Sequence, residues 1–593
     1  MDDIKKVIEN EMVGLFEAPT GLGKTDASIS AALELAIKKK KKIFFITPKN
    51  SQHKIVVDTI KGINEKHKKK IRVIDFVAKP NLCTDPFIFG GGSEFYELCE
   101  KKVSKKACIG YQNTVGFRKS EKLKAENNVE LFKYNNFALT NDEMRESCME
   151  GVMHCPYEMS LLLAKDADVI IADVNHVFLE SIRQRFFTKM EIELDDVIFI
   201  FDEAHNLPSR IRNIMSNSIN QKTIEGAIKE LQKVDEKVLS VNIKDFMQEF
   251  YEKFLLIENG FVKYNYFDML FATYNFDDIM KSMQKASRFT IEEYETKSFL
   301  KGILSFMESW FFSGKTSTRF LDPKDNLQVK SLDPSPLSKN VINEAYASIL
   351  MSATLNPFEM YETLLGVDKA VFKKRYESPF DHANKLVLYS DELTTKFAER
   401  KENIPKIANT ILETINSISG NIAVFFPSYR MLDHVRSLVE GKTQKRLFVQ
   451  QQKHTPLQGK RLIREFKKMQ TTIGGVLFAV VGGSFSEGVD YPGDDLIGII
   501  VVGLPFPEPD NEIKALIEYY DTLYSSGWDY AYVFPTISKI VQASGRAIRT
   551  ETDRAFIMLL DKRYAWSKYK NLFPKDYVFQ KYKIDKITKF MKQ

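Results

Sequence analysis

The stretch GLFEAPTGLGKTDASISAALELAIKK, residues 14–39, decides the fold. A short apolar run (GLFEAP, 14–19) leads into a glycine-rich turn, and the turn opens a segment with helical periodicity. Strand, glycine turn and helix in that order make APTGLGKT (18–25) a P-loop. Backbone amides of such a loop, with a helix N-terminus behind them, cradle phosphates. Gly21 and Gly23 let the backbone approach closely, and Thr20 belongs to the same cradle. Lys24 is placed to reach the β- and γ-phosphates of ATP, and the Thr25 hydroxyl to ligate Mg²⁺. Ala18 stands where the strict pattern has glycine.

Outward from this loop the chain alternates buried-strand candidates with helical segments. KIFFIT (42–47), IRVIDFVA (71–78), ADVIIADV (167–174), DVIFIFDEAH (196–205) and YASILMSATLNP (346–357) are apolar runs of strand length. From about 385 a second series begins: KLVLYS, NIAVFFPS, GVLFAVVGG, LIGIIVVGLPFP and AFIMLLD. Alternating strands and helices imply an α/β fold with parallel sheets covered on both faces. Two segments interrupt the rhythm. Residues 83–163 bring cysteines and lysines, and residues 207–345 are dominated by helical periodicity with dense aromatics.

The 593 residues carry 44% hydrophobic and 28% charged residues, the balance of a chain with substantial cores. No apolar run approaches the roughly 20 residues of a membrane span. The N-terminus has no secretory h-region, so a cytoplasmic protein without a membrane partner is expected. A net charge of +6 is mild for this length and permits nucleic-acid binding without arguing for it. All five cysteines lie between residues 83 and 155, which points to a local site. In a reducing compartment disulfides are not expected.

Two further motifs complete a nucleotide site. VIFIFDEAH (197–205) is a strand ending in Asp202 and Glu203. Asp202 is expected to hold Mg²⁺, and Glu203 to orient and help deprotonate an attacking water. His205 is not needed for phosphate chemistry and is expected to couple hydrolysis to the rest of the machine. In QASGRAIR (542–549), Gln542, Arg546 and Arg549 fall at i, i+4 and i+7, which predicts one helical face. Those arginines suit a departing γ-phosphate.

APTGLGKT, DEAH, MSATL (351–355), GSFSEGVDYPG (483–493) and QASGRAIR stand in the order and spacing of superfamily 2 helicases. With HCPY (154–157) and LLDKRY (559–564) they resemble the XPD/DinG family of iron–sulfur DNA helicases over nearly the whole chain. The resemblance implies two RecA-like motor domains with ATP between them. It also implies an iron–sulfur domain and a mainly helical, arch-like domain inserted in the first motor domain. The expected parts are 1–82, 164–206 and 346–380 for the first motor domain, 83–163 for the cluster domain, 207–345 for the arch and 381–593 for the second motor domain. The implied activity is 5′ to 3′ translocation on single-stranded DNA and separation of forked duplex, with nucleotide excision repair as the process. Ser352 and Thr354 are implied as couplers, Glu487, Gly488 and Asp490 as contacts to nucleotide and strand, and Ser428 and Tyr429 as part of the DNA track. An archaeal-type protein is expected, because little chain follows LLDKRY, and it is expected to be a monomer. Repair proteins are its possible partners.

The family's first cluster ligand follows an RKNLC-like string, matched by AKPNLC ending at Cys83, and its last lies in CPY, which is Cys155. Cys99 and Cys108 fit the middle places by order, and Cys148 is the spare. Four thiolates suit a [4Fe–4S] cluster or zinc. The intervening 15, 8 and 46 residues match no common zinc pair, so iron is expected. Lysines 101, 102, 105, 106, 119, 122 and 124, with Tyr157, suggest a strand-binding wall or a solvated face. Lys79 replaces the family's arginine before the first ligand, Pro48 and Lys49 are unusual in TPKNSQ, and no glutamine precedes the P-loop to read adenine. Two other readings are an RNA or protein–DNA remodelling ATPase, and a damage-sensing DNA-binding module gated by ATP.

Overall fold

The computed structural model describes residues 1–19, 21–47, 50–85, 93–234, 242–294, 297–487, 489, 491–506 and 509–592. Among the expected site residues, Thr20, Gly488 and Asp490 lie outside this set, as do Pro48 and Lys49. The described chain forms two compact units. One comprises Met1–Leu15, Thr25–Met351 and Tyr361–Lys373, the other Phe16–Lys24, Ser352–Met360 and Lys374–Gln593.

An eight-stranded sheet runs in the order 371–375, 13–17, 347–352, 197–202, 42–46, 169–172, 73–75, 138–139. The 347–352 and 197–202 strands pair in parallel, with Met351 opposite Asp202. The 42–46 strand is parallel to both of its neighbours. Every residue of Val197–Asp202 and Ala347–Ser352 is buried, as parallel strands with both faces covered require. Helix Glu180–Met190 packs Phe186 and Phe187 against Phe44, with ring centroids 6.1 and 5.5 Å apart. Full burial of a side chain such as Phe44 contributes about 2 kcal/mol. The strand Ala138–Leu139, from within the cysteine-bearing segment, closes one edge beside Val73 and Ile74.

Residues 207–345 are mainly helical, as the periodicity predicts, but they also contain an antiparallel four-stranded sheet in the order 217–220, 326–331, 317–321, 260–261. Helices Gln221–Leu231, Ile243–Leu255, Phe276–Tyr294 and Phe299–Phe312 share one core with it, centred on Phe246, Phe250, Phe267 and Trp310. No helix among the described residues is long and apolar enough to cross a membrane.

The second unit holds a seven-stranded sheet in the order 446–449, 475–480, 422–426, 498–502, 555–560, 385–389, 579–581, parallel at every pairing. Its central strands carry the apolar runs read from the sequence. Asp561, at the end of the 555–560 strand, is fully buried. Its carboxylate accepts from the Thr395 N–H at 2.8 Å and from Arg563 Nε and Nη2, both at 2.8 Å. Burial pushes the Asp561 carboxyl up, but Arg563 and the amide donors outweigh it and hold the group below the usual carboxylate range. The sign follows: this pair stabilises the unit above the unfolded carboxylate value of about 4 and is lost as pH falls towards the folded value. Asp561→Ala should therefore cost about 3–5 kcal/mol by stranding Arg563. Urea denaturation monitored in the second unit should show a lowered midpoint with weaker dependence on acid pH. An unchanged midpoint would contradict this role.

Candidate functional site

The P-loop follows the carboxyl end of the strand Val13–Glu17 and opens the helix Lys24–Lys39. Gly21 and Gly23 have φ of +87° and +72°, a region that glycine enters without steric cost. A side chain at Gly21 would collide with the Phe380 ring. The Lys24 ammonium donates to the carbonyls of Ala18 at 3.1 Å and Pro19 at 3.4 Å, so it is folded over its own loop. Thr25 is half-buried in the first helical turn.

The SAT strand, 347–352, lies between the P-loop strand and the DEAH strand in the sheet. The Ala18 N–H donates to the Ser352 carbonyl at 2.8 Å. Ser352 Oγ accepts from the Thr354 N–H at 3.2 Å, and Thr354 Oγ1 accepts from Gln542 Nε2 at 3.2 Å. Sequence reading did not foresee this last link, which joins the SAT and QASGRAIR motifs directly.

At the DEAH strand's end Asp202 is buried, and Glu203 adopts a left-handed backbone at φ +49°, ψ +42°. For a residue with a side chain this conformation is strained, and such strain gathers at functional sites. His205 Nδ1 lies 3.4 Å from Glu203 Oε2. Asp202 and Thr25 offer hard oxygen donors of the kind Mg²⁺ takes.

The QASGRAIR prediction needs correcting. Helix Phe534–Ser544 ends before Gly545, whose N–H caps it onto the Val541 carbonyl. Gln542 is on the helix, but Arg546 and Arg549 follow its end and share no helical face with it. Arg546 Nε donates to the Ser486 carbonyl at 3.2 Å and Nη1 to the Val489 carbonyl at 3.3 Å. The guanidinium thereby holds the backbone of the GSFSEGVD loop. The Arg549 N–H donates to Asp553 Oδ2 at 2.6 Å. Glu487 ends the short helix Ser484–Glu487. Ser428 caps the helix Tyr429–Val439, its Oγ accepting from the Met431 N–H.

Three of the four expected cluster cysteines sit where helices of the 83–163 region end or begin, and the fourth lies within a helix. Cys83 closes the helix Lys79–Leu82, Cys99 lies within Ser93–Ser104, and Cys108 and Cys155 precede the helices Ile109–Thr114 and Pro156–Ala164. The Cys155 N–H donates to Thr114 Oγ1 at 2.8 Å and to the Gly110 carbonyl at 3.1 Å, which seats HCPY against the helix after Cys108. Lys79 lies beside the Cys99 thiol, and its Nζ is 3.4 Å from Glu158 Oε1. Burial lowers the Lys79 ammonium, but Cys99, Glu158 and Cys155 outweigh it and raise the group overall. Burial pushes the Cys83 and Cys99 thiols up, and Cys155 up to about 12. Cys148 is fully buried, and its Sγ lies 3.9 Å from Met144 Sδ. Among the described residues no three His, Cys, Asp or Glu side chains are gathered closely enough to hold a metal ion. Cys83, Cys99, Cys108 and Cys155 nonetheless influence one another around Lys79, a soft sulfur set of the type iron–sulfur clusters take.

Tyr157 packs inward, 5.4 Å from Phe76 and under Lys79 at 4.8 Å, and its hydroxyl is pushed by burial up to about 12. Lys105, Lys106, Lys119, Lys122 and Lys124 are exposed, whereas Lys101 and Lys102 are half-buried and engage the Glu292 carbonyl and Asp85 Oδ2.

The fold and this site define a P-loop motor with two RecA-like sheets, of the helicase class. Residues 45–224 match the DEAD_2 family, and residues 411–578 match the helicase C-terminal domain family. The ATP-dependent DNA helicase XPD of Sulfolobus acidocaldarius is 24% identical over 589 residues, covering 96% of each chain. The ATP-dependent DNA helicase CHL1 of Meyerozyma guilliermondii is 25% identical over 595 residues, covering 88% of this chain and 71% of its own. A solved XPD helicase structure superposes with a TM-score of 0.67 at 21% identity, covering 98% of both chains. The chain is an XPD-like helicase.

Lys24→Ala removes the one ammonium of the phosphate loop. ATP turnover should fall by about 10²-fold or more, the cost of losing a charge-stabilising donor. Binding of a fluorescent single-stranded oligonucleotide should persist. Turnover at the wild-type rate would contradict the P-loop assignment.

Proposed function

We propose that this chain is an ATP-dependent DNA helicase that moves 5′ to 3′ on single-stranded DNA, separates forked duplex, and acts in nucleotide excision repair. The observation that carries the motor reading is the bonded series from Ala18 through Ser352 and Thr354 to Gln542. It links the phosphate loop, the SAT loop and the QASGRAIR helix by hydrogen bonds. In the mechanism Lys24 exchanges its carbonyl partners for the β- and γ-phosphate oxygens. Asp202 and Thr25 would hold Mg²⁺, which supplies neutralisation of phosphate charge when bound. Glu203, steadied by His205, accepts the proton of the attacking water at its carboxylate. Arg549, beyond the helix end, is the arginine we assign to the departing phosphate, and Arg546 holds the GSFSEGVD loop in register. Glu487, Gly488 and Asp490 are assigned to nucleotide and strand within that loop. Repeated hydrolysis drives movement because ATP and ADP favour different states of the motor.

Cys83, Cys99, Cys108 and Cys155 would hold a [4Fe–4S] cluster, which supplies a rigid crosslink of four segments. Four such sulfur donors suit iron, which as a cation would hold them as thiolates. The exposed lysines after Cys99 serve the strand's phosphates, whereas Tyr157 is committed to packing. The repair assignment rests on the XPD resemblance across 96% of both chains. We also propose a cytoplasmic monomer that meets repair proteins at forks.

Forked substrates test the motor reading. Duplexes with a 5′ single-stranded tail should be unwound with ATP, and those with only a 3′ tail should not. Equal activity on RNA forks would favour a remodelling ATPase, and tight lesion-dependent binding without turnover a gated sensor. Iron and acid-labile sulfide counts under anaerobic conditions test the cluster. Cys155→Ser should lose iron and Cys148→Ser should keep it. Loss of iron in Cys148→Ser with retention in Cys155→Ser would overturn the ligand set.

A further inference from the structure

Arg375 belongs to none of the motifs, yet it touches two of them. It ends the edge strand Val371–Arg375, beside the P-loop strand. The Tyr376 N–H donates to the Glu17 carbonyl at 2.9 Å, and the Tyr376 ring stacks on Phe16 at 6.2 Å and 25°. The Arg375 side chain then uses both arms of its fork. Nε donates to Glu17 Oε2, and Nη2 donates to Asn356 Oδ1 at 2.7 Å.

Both partners occupy decisive places. Glu17 is the last residue before the phosphate loop, and its side chain is only 7% exposed. The next residue, Ala18, receives Lys24 on its carbonyl and donates its N–H to Ser352. Asn356 lies two residues beyond Thr354, the SAT hydroxyl that Gln542 contacts. Glu17, Thr354 and Asn356 line one shallow pocket with Ile537, Ser538 and Val541 of the helix Phe534–Ser544.

We propose that Arg375 is a positioning residue that couples the root of the phosphate loop to the SAT loop, so that nucleotide state is passed to strand separation. This rests on the ATP-driven helicase reading above. The SAT loop is held at Thr354 by Gln542 and at Asn356 by Arg375, and Arg375 alone of these two also grips the base of the phosphate loop. A buried carboxylate needs its partner, and a planar five-donor fork serves two acceptors in fixed directions where a lysine ammonium cannot. Burial pushes the Glu17 carboxyl up while Arg375 pulls it back.

The test compares wild type, Arg375→Gln, Arg375→Lys and Asn356→Ala in the full chain, scoring base pairs unwound per ATP hydrolysed beside KM and kcat for ATP. In Arg375→Gln and Asn356→Ala the yield per ATP should fall about tenfold, in the range of coupling energies between linked sites. KM for ATP should stay within about twofold in both, since Coulombic contact with phosphate is not what they lose. Arg375→Lys should restore little. Asn356→Ala leaves the Glu17 pair intact and decides the matter if Arg375→Gln fails to fold, as judged by its thermal midpoint. Unwinding and hydrolysis falling in parallel, or an unchanged yield per ATP in Asn356→Ala, would overturn the proposal. A wild-type chain with no ATP-driven unwinding would instead overturn the helicase reading on which it rests.

Discussion

The hydrogen bond from the Ala18 N–H to the Ser352 carbonyl is the constraint on which the site depends. It is the last rung between two parallel strands, and immediately beyond it each strand turns into a functional loop. On one side the chain bends into the glycine turn that opens at Lys24. On the other it enters the SAT loop, whose first hydroxyl accepts from the Thr354 amide. A shift of the phosphate loop by a fraction of a hydrogen-bond length is therefore felt first at Ser352. Buried strands transmit such shifts because close-packed interiors comply poorly.

The second motor sheet answers through side chains. Gln542 reaches Thr354, and Arg546 fixes the Ser486 and Val489 carbonyls within the GSFSEGVD loop. The break in the helix at Gly545 is what allows this division of labour. A continuous helix would have set Gln542 and Arg546 side by side, whereas the break sends the guanidinium back towards residues 486–489. Arg546 holds the GSFSEGVD loop in this structure, and the departing phosphate is our proposal for Arg549.

Much of this was legible in the sequence because parallel strands buried on both faces are written as apolar runs, and VIFIFD or GVLFAV is hard to read otherwise. The edge strands Val371–Arg375 and Phe579–Lys581 were missed because their residues are largely exposed and carry lysines and an arginine. The antiparallel sheet within residues 207–345 was missed because NSIN and NLQVKS are short and polar on one face. Site residues that make their own backbone motif, such as Lys24, Asp202 and Glu203, stood out by pattern. Arg375 did not, because its importance lies in two partners 358 and 19 positions away, a relation that no local pattern records. The cysteines were conspicuous by crowding, their order already made Cys148 the spare, and the structure adds its burial against Met144.

The central claim is that strand engagement and ATP hydrolysis are coupled in this chain. The most direct measurement is steady-state ATP hydrolysis by the full-length protein as a single-stranded oligonucleotide is titrated in. The account predicts a low basal rate that rises steeply and saturates with the strand. A rate that stays flat across the titration, in protein shown to bind both ATP and the oligonucleotide, would contradict it.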